Sequence, residues 1–360
     1  MTRSAWFGAV FFVGCGSSNA TAPEQPAPTT TPLGDVALTG APEPAAPRTL
    51  GVGSSHACAV VAGGVRCWGS NSQGQLGDGT TTTPKKSVVV PGLADIVEVA
   101  VGDVHTCARS AAGSVWCWGG NASGELGYET TDMCGPTPCS RQPRPVAALT
   151  STLRVAAGNG RTCGLKNDGG VRCFGFSTQW DAPLSNNQDV AIDSSSGVCV
   201  IAAPARVVRC WSGGALGAER MVAKKGGGGP QPGFVRLSLG SEKAGVLDDG
   251  SVVAWDGARM PALGKALDLG TAPLFGCALL EGGGPVCWGN NSLGTLGRAG
   301  PSSDTPVSVN KLVSMGELAV GRDASCARTA DEVWCWGSNG SGVVSPGGSM
   351  TSTGPGRVTL

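Results

Sequence analysis

The chain is 360 residues long, sets 26 Lys and Arg against 26 Asp and Glu, and has only two histidines, His56 and His105. Without net charge or a basic run it has no phosphate-tracking footprint, which argues against nucleic acid as a partner. Its 59 Gly and 24 Pro follow no Gly-x-y period, so collagen is excluded and a chain full of tight turns is implied.

Residues 1–14 read as an export signal. Arg3 supplies the charged start and Ala5 to Val13 an apolar run too short to span a bilayer. The run ends Phe12-Val13-Gly14-Cys15, similar to a bacterial lipobox, which makes Cys15 the candidate for lipidation; the alternative is an ordinary signal with an incidental Cys. Two features favour the lipid. Setting Cys15 aside leaves an even number of the 15 cysteines, and residues 15–48 are rich in Pro, Ala and Thr, a composition that cannot build a core and reads as a tether. Gly16 rather than Asp after the lipidated Cys, by resemblance to bacterial lipoproteins, implies the outer membrane. The expected location is an outer-membrane lipoprotein, periplasmic or surface-exposed, or otherwise a secreted protein, with the membrane met only through the lipid.

From residue 49 to 360 the chain repeats itself. The cleanest units are VGSSHACAVVAGGVRCWGSNSQGQLG from Val52, VGDVHTCARSAAGSVWCWGGNASGELG from Val101 and VGRDASCARTADEVWCWGSNGSG from Val320. Reduced copies begin at Ala157, Ser195, Gly240 and Phe275. The aromatic after the second Cys position is Trp68, Trp118, Phe174, Trp211, Trp255, Trp288 and Trp336, which counts seven units at propeller-blade spacing. Each unit is an apolar stretch, a turn and a β-branched stretch, so the fold class is all-β, a seven-bladed β-propeller.

Centring each turn places two cysteines opposite one another: Cys58–Cys67, Cys107–Cys117, Cys163–Cys173, Cys199–Cys210, Cys277–Cys287 and Cys326–Cys335. The fifth unit has Ala244 and Ala254 at both positions. Two cysteines lost together were bonded to each other, which favours staples within blades over metal ligation between them. Metal sites would also call for C-x2-C spacings and partner histidines, so neither metal nor cofactor is expected. Leu76-Gly77, Leu126-Gly127, Leu216-Gly217, Leu263-Gly264 and Leu296-Gly297 recur after the aromatic, as plugs between blades. His56 and His105 hold equivalent scaffold positions and read as structural.

The pattern V-x-x-G-x-x-H-x-C-A followed by G-x-V-x-C-W-G-x-N-x-x-G-Q-L-G resembles the regulator of chromosome condensation (RCC1) repeat, in its cysteine-containing form from secreted and lipid-anchored bacterial proteins. In the first unit Gly53, His56, Trp68, Gly69, Asn71, Gly74, Leu76 and Gly77 carry the resemblance; in the second, Gly102, His105, Trp118, Gly119, Asn121, Gly124, Leu126 and Gly127. The resemblance implies the propeller. The founding member is an exchange factor for a small GTPase that binds chromatin, and none of its functional residues finds a counterpart here.

Function is then expected on loops the scaffold does not need. The insertion Tyr128 to Arg144 is closed by Cys134–Cys139 and offers Tyr128, Glu129, Asp132, Arg141 and Arg144; the staple serves binding or protects the loop from proteolysis. Phe176 to Asn187 offers Trp180 and Asp181, with Trp180 either a recognition residue or filler between blades. Lys224 to Gly229 and Thr80 to Lys86 read as solvated loops. No Ser-His-Asp or Cys-His constellation is available, so no catalytic residue is expected. The expectation is a non-enzymatic, monomeric scaffold of the bacterial cell envelope that binds an envelope or extracellular protein; the alternatives are carbohydrate or envelope-polymer binding and, behind these, a propeller enzyme.

Overall fold

The structure is a computed structural model that describes residues 46–176, 178–182, 186–193, 197–204, 206–212, 215–216, 233–240, 243–254, 260–348 and 354–360. The signal, Cys15, the tether up to residue 45, Trp255, Gly217 and the Lys224–Gly229 run lie outside the described residues.

Seven antiparallel sheets follow one another along the chain, and among the described residues every element is a strand. Blade 1 is typical. Its inner strand Leu50–Val52 pairs with His56–Val61, which pairs with Gly64–Gly69 and then with the outer Val88–Val89. The inner strands of the other blades are Ile96–Val101, Thr152–Gly158, Asn187–Ile192, Phe234–Leu239, Ala266–Thr271 and Glu317–Val320. Blade 5 has three described strands and blade 2 has an extra outer hairpin. The last strand, Gly356–Val358, is the outer strand of blade 7, so each blade is one continuous stretch of chain.

The predicted turn geometry holds in blade 1. Val61 faces Gly64, and Ala62 and Gly63 between them both take positive φ, 49° and 76°, as a two-residue hairpin of primed type requires. That register sets Cys58 against Cys67, and the same cross-strand pairing recurs in blades 2, 3, 4, 6 and 7. All six intrablade disulfides are formed, with Cα atoms 4.0–4.1 Å apart, the narrow spacing of an antiparallel ladder. Cys134–Cys139 closes the insertion.

The apolar interior is divided into seven clusters, each lying between two blades. Cys58, Cys67 and Leu76 of blade 1 meet Trp118 of blade 2; Cys107, Cys117 and Leu126 of blade 2 meet Phe174 of blade 3. Cys277, Cys287 and Leu296 of blade 6 meet Trp336, and Cys326 and Cys335 of blade 7 meet Trp68 of blade 1. Where blade 5 carries Ala244 instead, Trp288 of blade 6 still seats on it. The alternation of a strand explains this: Cys and aromatic are neighbours in sequence, so they point to opposite faces of the blade.

The Leu-Gly plug completes the joint. Asn71 Oδ1 accepts the Leu76 N–H at 3.0 Å, and Asn121, Asn291 and Asn339 do the same for Leu126, Leu296 and Val344. Each folds its loop so that an apolar side chain enters the gap. The carbonyl just before the plug then accepts the next blade's indole N–H: Trp118 on Gln75 at 2.9 Å, Trp336 on Thr295 at 3.1 Å and Trp68 on Val343 at 2.8 Å. Gly77 is required there, since it sits at φ 72° and a Cβ would lie 2.6 Å from the Trp118 nitrogen.

Each blade buries its faces only on its neighbours, so a staple acts on a sheet that would not stand alone. Closing a loop of about ten residues is worth about 2–3 kcal/mol in the chain-entropy account. The double substitution Cys58→Ala/Cys67→Ala, which copies blade 5, should therefore fold and lose about 2–3 kcal/mol in chemical denaturation. A loss near zero would show that packing alone holds the blade.

Candidate functional site

The strand registers define two faces. The inner strand of blade 1 starts beside the Ala62-Gly63 turn and ends at Gly53, on the side of the long loops. The turn side is here called the hairpin face and the other the loop face.

The insertion belongs to the loop face and is braced from both ends. Strand Thr137–Pro145 pairs with Val115–Gly120 of its own blade and with the short Met133–Cys134. Thr137 Oγ1 donates to Gln73 Oε1 of blade 1 at 2.8 Å, and Gly79 N donates to the Arg141 carbonyl at 2.9 Å. Tyr128 turns inward, half-buried, and its hydroxyl donates to the Cys117 carbonyl at 2.6 Å. Burial pushes its phenol up to about 12. Glu129 and Arg141 are exposed, and Arg144 is paired with Asp132 at 3.2 Å. Five of the seven residues selected from sequence thus share one stapled loop, with four of them at its surface. Trp180 and Asp181 belong to blade 3. Trp180 packs edge-on against Trp211 of blade 4, centroids 5.5 Å apart, and fills a joint between blades. Asp181 is exposed and held below the usual carboxylate range by a two-pronged contact with Arg172, at 2.7 and 2.9 Å.

A second polar constellation lies at the hairpin-face mouth of the axial channel. The residues that face the first Cys position are Gly51, Ala100, Ala156, Ala191, Ser238, Gly270 and Ala319. Two positions earlier stand Thr49, Glu98, Arg154, Asp189, Arg236, Asp268 and Glu317, one per blade. In blades 2 to 6 a register irregularity just before this position frees one residue from the ladder, the usual device for re-aiming a side chain. Arg48, assigned from sequence to the tether, joins the ring through Asp268 at 3.5 Å. Glu98 accepts Arg109 Nε at 2.6 Å and the Val155 N–H of blade 3 at 3.2 Å. Burial nevertheless pushes Glu98 up, as it does Asp189. Glu317 accepts the N–H groups of Thr49 and Leu50, at 2.7 and 3.1 Å, and thereby joins blade 7 to blade 1. The mouth opens on a cavity of about 250 Å³. Aligning the inner strands as well as the cysteine units is the signal that would have found these residues.

His56 and His105 are buried and tie neighbouring blades: each ring Nε2 lies 2.8 Å from the hydroxyl of Thr106 or Thr162 in the next blade. Thr106 donates to the Gln75 carbonyl, so its oxygen accepts from His56 Nε2–H. Burial pushes the two rings down to about 3 and about 4. Neither is placed as a base at an open site. Among the described residues no group of three or more His, Cys, Asp or Glu is placed to hold a metal, and no helix is long and apolar enough to cross a membrane.

Two predictions follow from these buried groups. Glu98→Leu leaves the Arg109 guanidinium buried and unpaired and should cost about 3–5 kcal/mol, whereas Glu98→Leu/Arg109→Met should recover most of it; equal losses in urea would refute the pairing. The histidines resist protonation only when folded, so their stability contribution is complete above 6.5 and is lost as pH falls toward about 3–4. Each adds a slope of about 1.4 kcal/mol per pH unit. Denaturation between pH 6.5 and 5 should show a shallower slope in His105→Gln than in the parent chain, since Glu98 and Asp189 titrate equally in both.

With this geometry in place, the chain can be set beside known proteins. Two models of the regulator of chromosome condensation (RCC1) repeat match it, one at residues 48–75 and 96–125, the other at 62–109 and 112–165. No curated protein sequence matches it. Among solved structures, Prp20p from Saccharomyces cerevisiae, which binds Gsp1p and histones, is 17% identical with a TM-score of 0.67 over 87% of this chain and 88% of its own. Human WBSCR16 is 17% identical with a TM-score of 0.67 over 82% of this chain and 94% of its own. The ectodomain of the Arabidopsis thaliana receptor kinase ACR4 is 17% identical with a TM-score of 0.53 over 88% and 100%. At these identities the likeness concerns the fold.

Proposed function

We propose, on the premise that this chain carries RCC1 repeats on a seven-bladed propeller, that it is a non-enzymatic binding scaffold of the bacterial cell envelope which recognises a protein partner through its loop face. The observation that carries this reading is the braced insertion. A loop closed by Cys134–Cys139, hydrogen-bonded to blade 1 and paired along blade 2 loses little freedom when a partner seats on it. It projects charged groups of both signs, Glu129 and Arg141, beside the Asp132–Arg144 pair, as the polar rim of an interface does. Seven disulfides support an oxidising compartment, and the lipobox-like Gly14-Cys15 supports attachment to a membrane by a lipid at Cys15. One related propeller, yeast Prp20p, binds proteins: Gsp1p, histones and Kap60. An exported chain would meet other partners.

Crosslinking in intact cells followed by mass spectrometry should recover one envelope protein with the parent chain and lose it when residues 128–144 are replaced by a short turn. Recovery that survives the replacement would move the interface off this loop. Recovery of nothing above background would favour a glycan or small-molecule ligand.

A further inference from the structure

We propose that the hairpin-face mouth of the axial channel is a carboxylate-binding site, in which Arg154 and Arg236 grip one carboxylate group of a ligand. The site lies on the face opposite the insertion and does not depend on the loop-face reading.

Most charges of the ring already have partners. Arg48 is held by Asp268, and Arg109 by Glu98. Glu317 is occupied by two backbone N–H groups and by Thr49, whose hydroxyl also accepts from Arg328 at 3.1 Å. Three groups are left. Arg154 is only 7% exposed, bonds through Nη1 to the carbonyl of its own neighbour Leu153 at 2.9 Å, and has no partner at Nε. Arg236 donates one bond, to the Ala46 carbonyl at 2.9 Å. Asp189 accepts only the N–H of the adjoining Val190. Among the described residues none of the three makes an ion pair, although all line the same cavity.

A guanidinium buried in this condition is expensive to hold: Glu98 and Asp189 act on Arg154 only through space, without the direct contact that Glu98 gives Arg109. Of the charged groups that line the cavity, Arg48, Arg154 and Arg236 carry guanidiniums and Glu98 and Asp189 carboxylates. One positive charge is in excess. A single carboxylate balances it, and its two oxygens match the planar donor fork of arginine. A phosphate dianion would overshoot. The cavity, about 250 Å³, accepts a small acid or the end of an acidic side chain.

The test is thermal unfolding and calorimetric titration of the full disulfide-bonded chain at constant ionic strength. The probes are acetate, succinate and a capped tetraglutamate peptide, with chloride and phosphate as controls. A saturable rise in Tm with the carboxylates, absent in Arg154→Met and at least fivefold weaker in Arg154→Lys, is the expected result. Tighter binding of the peptide than of succinate would identify the ligand as a partner segment, and the reverse as a small acid; either supports the site. Arg154→Met without ligand should melt no lower than the parent, because it removes an unpaired buried charge. The proposal fails if no carboxylate gives a saturable shift, if chloride or phosphate gives the same one, or if the shift persists in Arg154→Met. Should Arg154→Met not fold, Arg154→Lys carries the test, and undiminished binding there overturns it.

Discussion

The ring depends on one joint, present at five interfaces among the described residues: the Cys pair of one blade receives the aromatic of the next. Burying a Trp such as Trp118, of which nothing is exposed, removes a large apolar surface from water. It also brings polarisable sulfur against an aromatic ring, a contact favourable in itself. The disulfide therefore does two things at once. It restricts the unfolded hairpin, and it presents a rigid seat that cannot shear when the neighbouring blade presses on it. The indole N–H on the carbonyl before the plug then fixes the rotation of one blade on the next, which packing alone leaves loose.

Closure follows from the same joint. No strand is exchanged between the ends of the described chain, because Gly356–Val358 stays within blade 7 and Leu50–Val52 within blade 1. Instead Trp68 docks on Val343, and Val344 plugs the gap as Leu76 does elsewhere. Glu317 clamps the entry to blade 1, and Arg328 reaches across to the Val60 carbonyl at 3.0 Å. The joint between blades 7 and 1 is thus one more repeat of the common design with an ionic clamp added. Where the design has eroded, the substitution is visible in the same terms. Phe174 has no N–H to offer blade 2. Trp211 has no plug loop before it, its indole nitrogen finds no hydrogen bond, and Trp180 supplies packing in place of the plug. A buried donor left this way costs about 1–3 kcal/mol.

The sequence was most legible where one physical requirement constrained two positions together. Cysteine pairs around a turn reveal the register, since only facing residues can bond, and the paired loss at Ala244 and Ala254 identifies the partners. Leu76-Gly77, Leu126-Gly127 and Leu296-Gly297 were legible as plugs because the Gly takes positive φ against a ring, whereas Gly264 has neither a positive φ nor a neighbour within 4 Å. The stapled insertion was legible as a break in the period, but not its bracing, which runs through Gln73 and Gly79 in another blade. Tyr128 and Trp180, rare aromatics on loops, both turn toward packing, which for Trp180 is one of the two roles its sequence leaves open. The axial charges were missed for the converse reason. They stand outside the cysteine unit, behind an irregular pairing in blades 2 to 6, and differ in sign from blade to blade. Only the closed ring brings them together.

That placement bears on what a propeller of this kind can be used for. Loop-face residues outside the plug loops vary in number and spacing because the joints do not depend on them, whereas the axial position is contributed once by every blade. Seven apolar residues there would have sealed the mouth at lower cost, since desolvating a charge is repaid only by good partners. Glu98, Asp268 and Glu317 have such partners and can be understood as part of the scaffold. Arg154 cannot be understood that way, because the fold gains nothing from burying it half-satisfied, and Arg236 and Asp189 stand half-buried beside it with no ion pair among the described residues. A cost that the scaffold does not recover is the physical mark of a residue kept for something outside the chain.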